Sequence, residues 1–192
     1  MHTTIRLFSP LATADIETLA CGDRVLLNGT IFTARDAAHR RLVEAIDQGQ
    51  QLPVDLTAAV IFYAGPSPAP PGKPIGSVGP TTASRMDPFA IKLMSQLRII
   101  GMIGKGQRSV AFREACQQYK SVYFTAPGGI AALLHKHIVS AETVAYADLG
   151  TEAIKRLVIK DFPILVANDI YGHDLYEEGQ QQFRVLPPAD NE

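Results

Sequence analysis

Short apolar runs bounded by turn residues recur along the chain, at 24–27, 58–63, 98–103, 121–124, 143–147, 156–160 and 163–167. They are rich in Val, Ile, Leu, Phe and Tyr and have strand length, so each reads as a β-strand. Between them the period changes. Ala38, Leu42, Val43 and Ile46 recur at three- and four-residue spacing, which predicts an amphipathic helix over 34–48. Thr33 followed by Asp36 has the spacing of a capping box, with Asp in place of the usual Glu or Gln. Two further helices are expected at 109–119, capped by Ser109, and at 128–137, opened by Pro127-Gly128-Gly129. Strands alternating with helices predict an α/β fold, and the strand-rich C-terminal stretch predicts mixed sheets flanked by helices.

Three of the intervening loops share one chemistry. The Pro/Gly-rich stretch 65–80 reads as a long loop inside one domain, because it ends on Gly79-Pro80-Thr81-Thr82-Ala83-Ser84-Arg85-Met86-Asp87. Pro80 restricts Gly79 to extended or turn backbone. Thr81 or Thr82 then caps a helix, and Arg85 falls one turn after Thr81 on the same face. A second loop, Thr30 to Asp36, brings Arg35 to the first turn of the first helix, with Asn28-Gly29 as a turn between two strands. In the third, Lys105 sits between Gly104 and Gly106 where an apolar run ends, the place where open α/β sheets bind ligands. Each loop offers a fixed cation beside backbone donors freed at a helix start, and helix N-termini favour anions. Together they predict a pocket for a small polyanion, most simply a dicarboxylate. A hydroxyl beside a guanidinium suits a hydroxy-acid or an unsaturated diacid, and arginine fixes a carboxylate through two parallel hydrogen bonds.

Composition narrows the alternatives. The 192 residues fit one domain over 1–179 and a polar, frayed tail over 180–192. A formal net charge of -1 argues against a nucleic-acid surface. Two cysteines, Cys21 and Cys116, are too few for a disulfide framework, a four-cysteine zinc site or a conventional iron–sulfur cluster. Both are expected to be buried or inert. No secretory signal or membrane-length apolar run is visible, so a cytoplasmic protein is expected. The nucleotide P-loop spacing and the nucleophile elbow are missing. His39 follows Arg35 by one turn and either faces the same site or is a buried helix residue. His135 and His137 do not make a metal pair, and His2 and His173 are expected to face solvent.

In their order and spacing, Gly29-Thr30 through His39, Gly79 through Met86 and Gly104-Lys105-Gly106 resemble the iron–sulfur-dependent hydro-lyases, the class I fumarases and L-tartrate dehydratases. The resemblance is to their C-terminal domain, a separate β subunit in two-subunit members, and covers about residues 7–176. It implies a swivelling β/β/α domain and reversible addition of water across the double bond of a dicarboxylate. It implies a [4Fe–4S] cluster held by a partner α subunit and not ligated by this chain. It also implies that Arg35, Arg85 and Lys105 bind substrate carboxylates and that Thr81 transfers a proton. Lys105 would also stabilise charge as it develops. The run Gly104 to Ser109 looks closer to fumarases, favouring fumarate and malate. L-tartrate or another hydroxy-diacid is the alternative substrate. A non-catalytic dicarboxylate-binding or assembly module and a cluster-free enzyme are the alternative functions; against the latter stands the lack of a strong acid–base pair near the loops. The start at Met1 suggests a separately encoded partner, and a homodimer of αβ pairs is possible. Ser84 departs from the glycine of many fumarases, and His173 stands where asparagine is expected.

Overall fold

Two long strands, β2 (Arg24–Thr33) and β7 (Ile154–Asn168), carry the architecture. They pair antiparallel from Arg24↔Leu165 to Thr33↔Lys155. Beyond them, β3 (Val60–Phe62), β4 (Gly101–Gly104) and β5 (Val122–Thr125) follow β2 in parallel order. β5 then meets β7 antiparallel, so the mixed sheet folds back on itself. β1 (Thr4–Ser9) runs parallel beside β2, and β6 (Ile138–Ala145) antiparallel beside β7. The computed structural model describes residues 4–184. No helix among them is long and apolar enough to cross a membrane.

Alternation along β3, β4 and β5 divides the core in two. Val60, Phe62, Ile103, Val122 and Phe124 point toward β2 and β7, packing with Leu27, Ile31, Leu157 and Phe162. Ile61, Tyr63, Met102 and Tyr123 point the other way, against three helices: α2 (Asp36–Asp47), α3 (Asp87–Leu97) and α4 (Val110–Tyr119). The result is the β/β/α layering implied by the resemblance. Each fully buried Leu, Ile or Phe contributes roughly 1.5–3 kcal/mol to holding these layers together. Short helices α1 (Thr13–Glu17) and α5 (Ala131–Leu134) fill the ends, and α6 (Leu175–Phe183) closes the described chain.

The structure departs from the sequence reading at several elements. Asn28-Gly29 does not turn the chain. It forms a bulge within the continuous strand β2, where the register against β7 shifts between Leu27 and Gly29. The Asn28 side chain accepts the Asp161 amide at 2.9 Å, filling the gap in the ladder. Gly29 has φ +96°, and an added Cβ would stand 2.1 Å from the Ser9 carbonyl oxygen. Runs 156–160 and 163–167 are likewise two halves of β7, joined at Asp161 with φ 48°. The capping box does not form either: Thr33 is buried at the strand end, donating to the Ala153 carbonyl and accepting the Lys155 amide. The helix expected over 128–137 shrinks to α5 and a short 3-10 turn, His135–His137. β1 and α6 were not read from the sequence. α6 runs through the expected boundary at 179, so 180–183 are helical; the rest of the expected tail, from 185, lies outside the described residues.

His39 is a core residue of α2. Its ring is fully buried, and Nδ1 donates to the Arg35 carbonyl at 3.0 Å, because that carbonyl can only accept. Burial holds the imidazole neutral and pushes its pKa down from 6.5 to about 4, against the opposing Arg35 hydrogen bond.

Two outcomes follow. Gly29→Ala should destabilise the fold by at least about 2 kcal/mol in denaturant melts, from the left-handed backbone and the Ser9 clash; an unchanged midpoint would contradict the bulge. The unfolded chain takes up the His39 proton first as pH falls, so stability from this residue is full above 6.5 and lost on descent to about 4. The wild-type minus His39→Leu stability difference should therefore fall by about 3 kcal/mol across that window; a flat difference would place His39 in solvent.

Candidate functional site

The three cation-bearing loops follow the carboxyl ends of neighbouring parallel strands. Arg35 comes two residues after β2, Thr81 is tied to the residue after β3, and Lys105 directly follows β4. Adjacent strands therefore bring together segments distant in sequence, at the edge where parallel sheets gather ligand-binding loops.

Arg35 occupies the N-cap of α2 in extended backbone and makes no side-chain cap. The free α2 amide at Ala37 is instead satisfied by Glu152 at 2.8 Å, reaching in from the 3-10 segment Ala147–Glu152. The same carboxylate lies 3.4 Å from Arg35 Nε, and Asp36 Oδ2 is also 3.4 Å from that nitrogen. Gly65 lets this guanidinium lie flat against the chain, since an added Cβ would approach Arg35 Nη1 to 3.0 Å.

The Thr81–Arg85 segment is not a capped α-helix start. Thr81 lies outside any helix, and its amide and hydroxyl both donate to the Tyr63 carbonyl at 2.8 Å. Thr82 precedes a 3-10 turn, Ala83–Met86, and its side chain makes no cap. α3 begins only at Asp87, with Pro88 in its first turn. Thr82 pairs with Lys105 as one rung of parallel ladder: Lys105 N–H donates to Thr81 O at 3.1 Å and Ala83 N–H to Lys105 O at 2.9 Å. Arg85 then reaches across to α2, placing Nη2 3.0 Å from Asp36 Oδ2. One carboxylate oxygen thus joins Arg35 and Arg85.

Lys105 makes no ion pair among the described residues. Its side chain runs over Gly128 after β5, where an added Cβ would come 3.8 Å from Nζ. The loop is held by two tyrosines that sequence reasoning missed, Tyr123 and Tyr176, both bonded to Gly106. A second missed feature is the ion pair beneath the site. Arg108 Nε donates to Asp87 at 2.6 Å, and Asp87 also accepts the Ser109 amide at 2.8 Å. The buried guanidinium lies 3.2 Å from the Phe112 ring centre and 4.8 Å from that of Tyr123. This pair fixes the start of α3, and hence Arg85, to the start of α4. The signals for these residues were local: Asp87-Pro88, and Asp174 followed by Glu177 and Glu178, are helix-start patterns. Asp174 does cap α6, accepting the Tyr176 amide at 2.8 Å.

The site brings Arg35 and Arg85 to one carboxylate and Thr81 to the backbone beside Lys105; it leaves His39 in the core. Ser84 is exposed and lines an open groove with Asp87, Pro88 and Ile91 rather than the Arg35–Arg85 contact. His173 is exposed and bonds the buried Asp169 at 2.7 Å. Nothing in this donor set fits an iron–sulfur cluster. Among the described residues no three His, Cys, Asp or Glu side chains stand together as a metal site. Burial pushes the thiol pKa values of Cys21 and Cys116 up to about 12, which disfavours the thiolates that iron would need.

A family profile described as "Fumarase C-terminus" matches residues 1–179. The chain is 42% identical over 156 residues to "Fumarate hydratase class I, anaerobic" of Escherichia coli, covering 81% of this chain and 28% of that protein. It is 40% identical to "Fumarate hydratase 1, mitochondrial" of Leishmania major, again over 81% of this chain and 28% of the relative. To "L(+)-tartrate dehydratase subunit beta" of Escherichia coli it is 33% identical over 92% of this chain and 89% of that subunit. The chain thus spans less than a third of the fumarate hydratases it matches and nearly the whole of the β subunit. By the profile match over residues 1–179, this chain belongs to the fumarase C-terminal domain family.

Proposed function

We propose that this chain is the β subunit of a two-part hydro-lyase that reversibly adds water to a dicarboxylate, with fumarate and (S)-malate as the pair. The observation that carries the reading is the charge pattern at the strand ends. Arg35 and Arg85 converge on one oxygen of Asp36, and the Lys105 ammonium, at the end of the neighbouring strand β4, has no counter-ion among the described residues. Asp36 marks where a carboxylate sits between two guanidiniums; an incoming diacid offers one carboxylate to the arginines and the other to Lys105. Identity supports the fumarate reading, at 42% against 33% for the tartrate β subunit. The match in length to that β subunit favours L-tartrate as the second reading.

In dehydration, a proton leaves the carbon next to a carboxylate, and negative charge builds on that carboxylate. Fixed cations aimed at it stabilise the charge without reorganising, most strongly when a partner surface excludes water. Lys105 takes this role, while Arg35 and Arg85 hold the other carboxylate. Thr81 is the proton-transferring group: its hydroxyl proton is held by the Tyr63 carbonyl, which leaves its oxygen lone pairs free. A threonine hydroxyl is a weak base, so it takes the substrate proton only after its own has passed to solvent or to another group, an ionisation that the cations of Arg85 and Lys105 favour. The cluster, expected in the partner α subunit, would supply a Lewis acid for the departing hydroxyl.

The reconstituted αβ pair should hydrate fumarate, and this chain alone should not; turnover by the isolated chain would overturn the two-part reading. In the pair, Arg85→Lys keeps the charge but loses the forked donor, and kcat/KM should fall about 100-fold with folding intact. An unchanged rate would remove Arg85 from the site. Thr81→Ala should cost about 1 kcal/mol of stability from the lost Tyr63 bond. Its turnover should fall at least about 100-fold, with Thr81→Ser restoring most of it; a rate loss no larger than the stability loss explains would make Thr81 structural.

A further inference from the structure

The two glycines flanking Lys105 are joined by a relay of hydroxyls. Gly106 N–H donates to Tyr176 Oη at 3.1 Å, the hydroxyls of Tyr176 and Thr125 stand 2.8 Å apart, and Thr125 Oγ1 reaches the Gly104 carbonyl at 3.5 Å. The Gly106 amide can only donate and the Gly104 carbonyl only accept, and between them either hydroxyl can donate to the other. Tyr123 Oη donates to the Gly106 carbonyl at 2.9 Å. Lys105's own amide and carbonyl are taken by Thr81 and Ala83. The turn needs this support because Gly106 has φ +84°, a conformation that glycine adopts freely and does not hold by itself. Tyr176 arrives from α6, seventy positions away from Gly106, with its ring packed partly buried against the helix-side core.

We propose that Tyr176 is a positioning residue: its hydroxyl, through Gly106, sets where the Lys105 ammonium stands over Gly128. This rests on the reading of Lys105 as a carboxylate ligand. A charged group displaced by about 1 Å loses much of its effect on a reacting anion, so one hydroxyl in the second layer has kinetic weight. α6 thereby becomes part of the active-site framework rather than a C-terminal appendage.

The test is a double-mutant cycle in the reconstituted αβ pair, using Tyr176→Phe, which keeps the ring, and Lys105→Met. Tyr176→Phe should lower kcat/KM about tenfold. In the Lys105→Met background it should cost nothing further, because its effect passes through Lys105. Thr125→Val, which cuts the next link, should behave in the same way. In the isolated chain, Tyr176→Phe should speed amide exchange at Gly106 about tenfold, independently of any activity. If Lys105→Met is itself silent, the carboxylate reading of Lys105 falls, and the inference falls with it. If Lys105→Met lowers the rate but Tyr176→Phe is silent, or costs the same in both backgrounds, only the positioning role is overturned.

Discussion

Two backbone hydrogen bonds hold the proposed site together: Lys105 N–H to Thr81 O, and Ala83 N–H to Lys105 O. They extend the parallel sheet by one rung beyond the end of β4. Without that rung, the threonine–arginine segment and the glycine-flanked lysine would be two independent surface loops. With it, the geometry of β3 and β4 is passed directly to Thr81, Arg85 and Lys105. Glycine at 104 permits the contact, since an added Cβ would stand 2.8 Å from that of Ala83 and 3.0 Å from the Tyr63 ring.

Around this rung the charges are arranged in two tiers. In the core, Arg108 and Asp87 form a paired, water-excluded contact, and removal of either partner would leave a buried charge uncompensated. At the surface, Arg35 and Arg85 share Asp36, and Lys105 has no ion-pair partner among the described residues. The deep pair gives rigidity, and the shallow group sets three cations against the carboxylates of Asp36 and Glu152. Exposed pairs elsewhere, such as Arg41–Asp148 and Arg156–Glu142, have neither property and add little to stability. The site is thus one place where positive charge exceeds negative while its backbone is fixed on every side.

Much of this was legible in the sequence. The apolar run at 58–63 contains β3, those at 98–103 and 121–124 cover all but the last residue of β4 and of β5, and the periodic stretch at 34–48 contains α2. The glycines around Lys105 and the Gly-Pro-Thr-Thr run identified the segments that the sheet brings together. What local reading could not supply was pairing. Asn28-Gly29 has the composition of a hairpin turn, but β7 runs the full length of β2 and converts it to a bulge. Thr33 and Thr81 have the composition of helix caps, but partners from Ala153 and Tyr63 claim their hydroxyls. Glu152 accepts the α2 amide of Ala37 from over a hundred residues away, a pairing that no short window can reveal. β1 was missed because only Leu7 and Ser9 of its six residues are buried, so its alternation is weak. α6 was missed because it has no fully buried residue, although Asp174 and the acidic first turn announce it.

The most direct test of the account is the structure of the reconstituted two-subunit complex with a dicarboxylate bound. The account predicts one ligand carboxylate against the guanidinium groups of Arg35 and Arg85 and the other within hydrogen-bond reach of Lys105 Nζ. A ligand seated elsewhere, with both arginines still on Asp36 and the lysine unengaged, would contradict it.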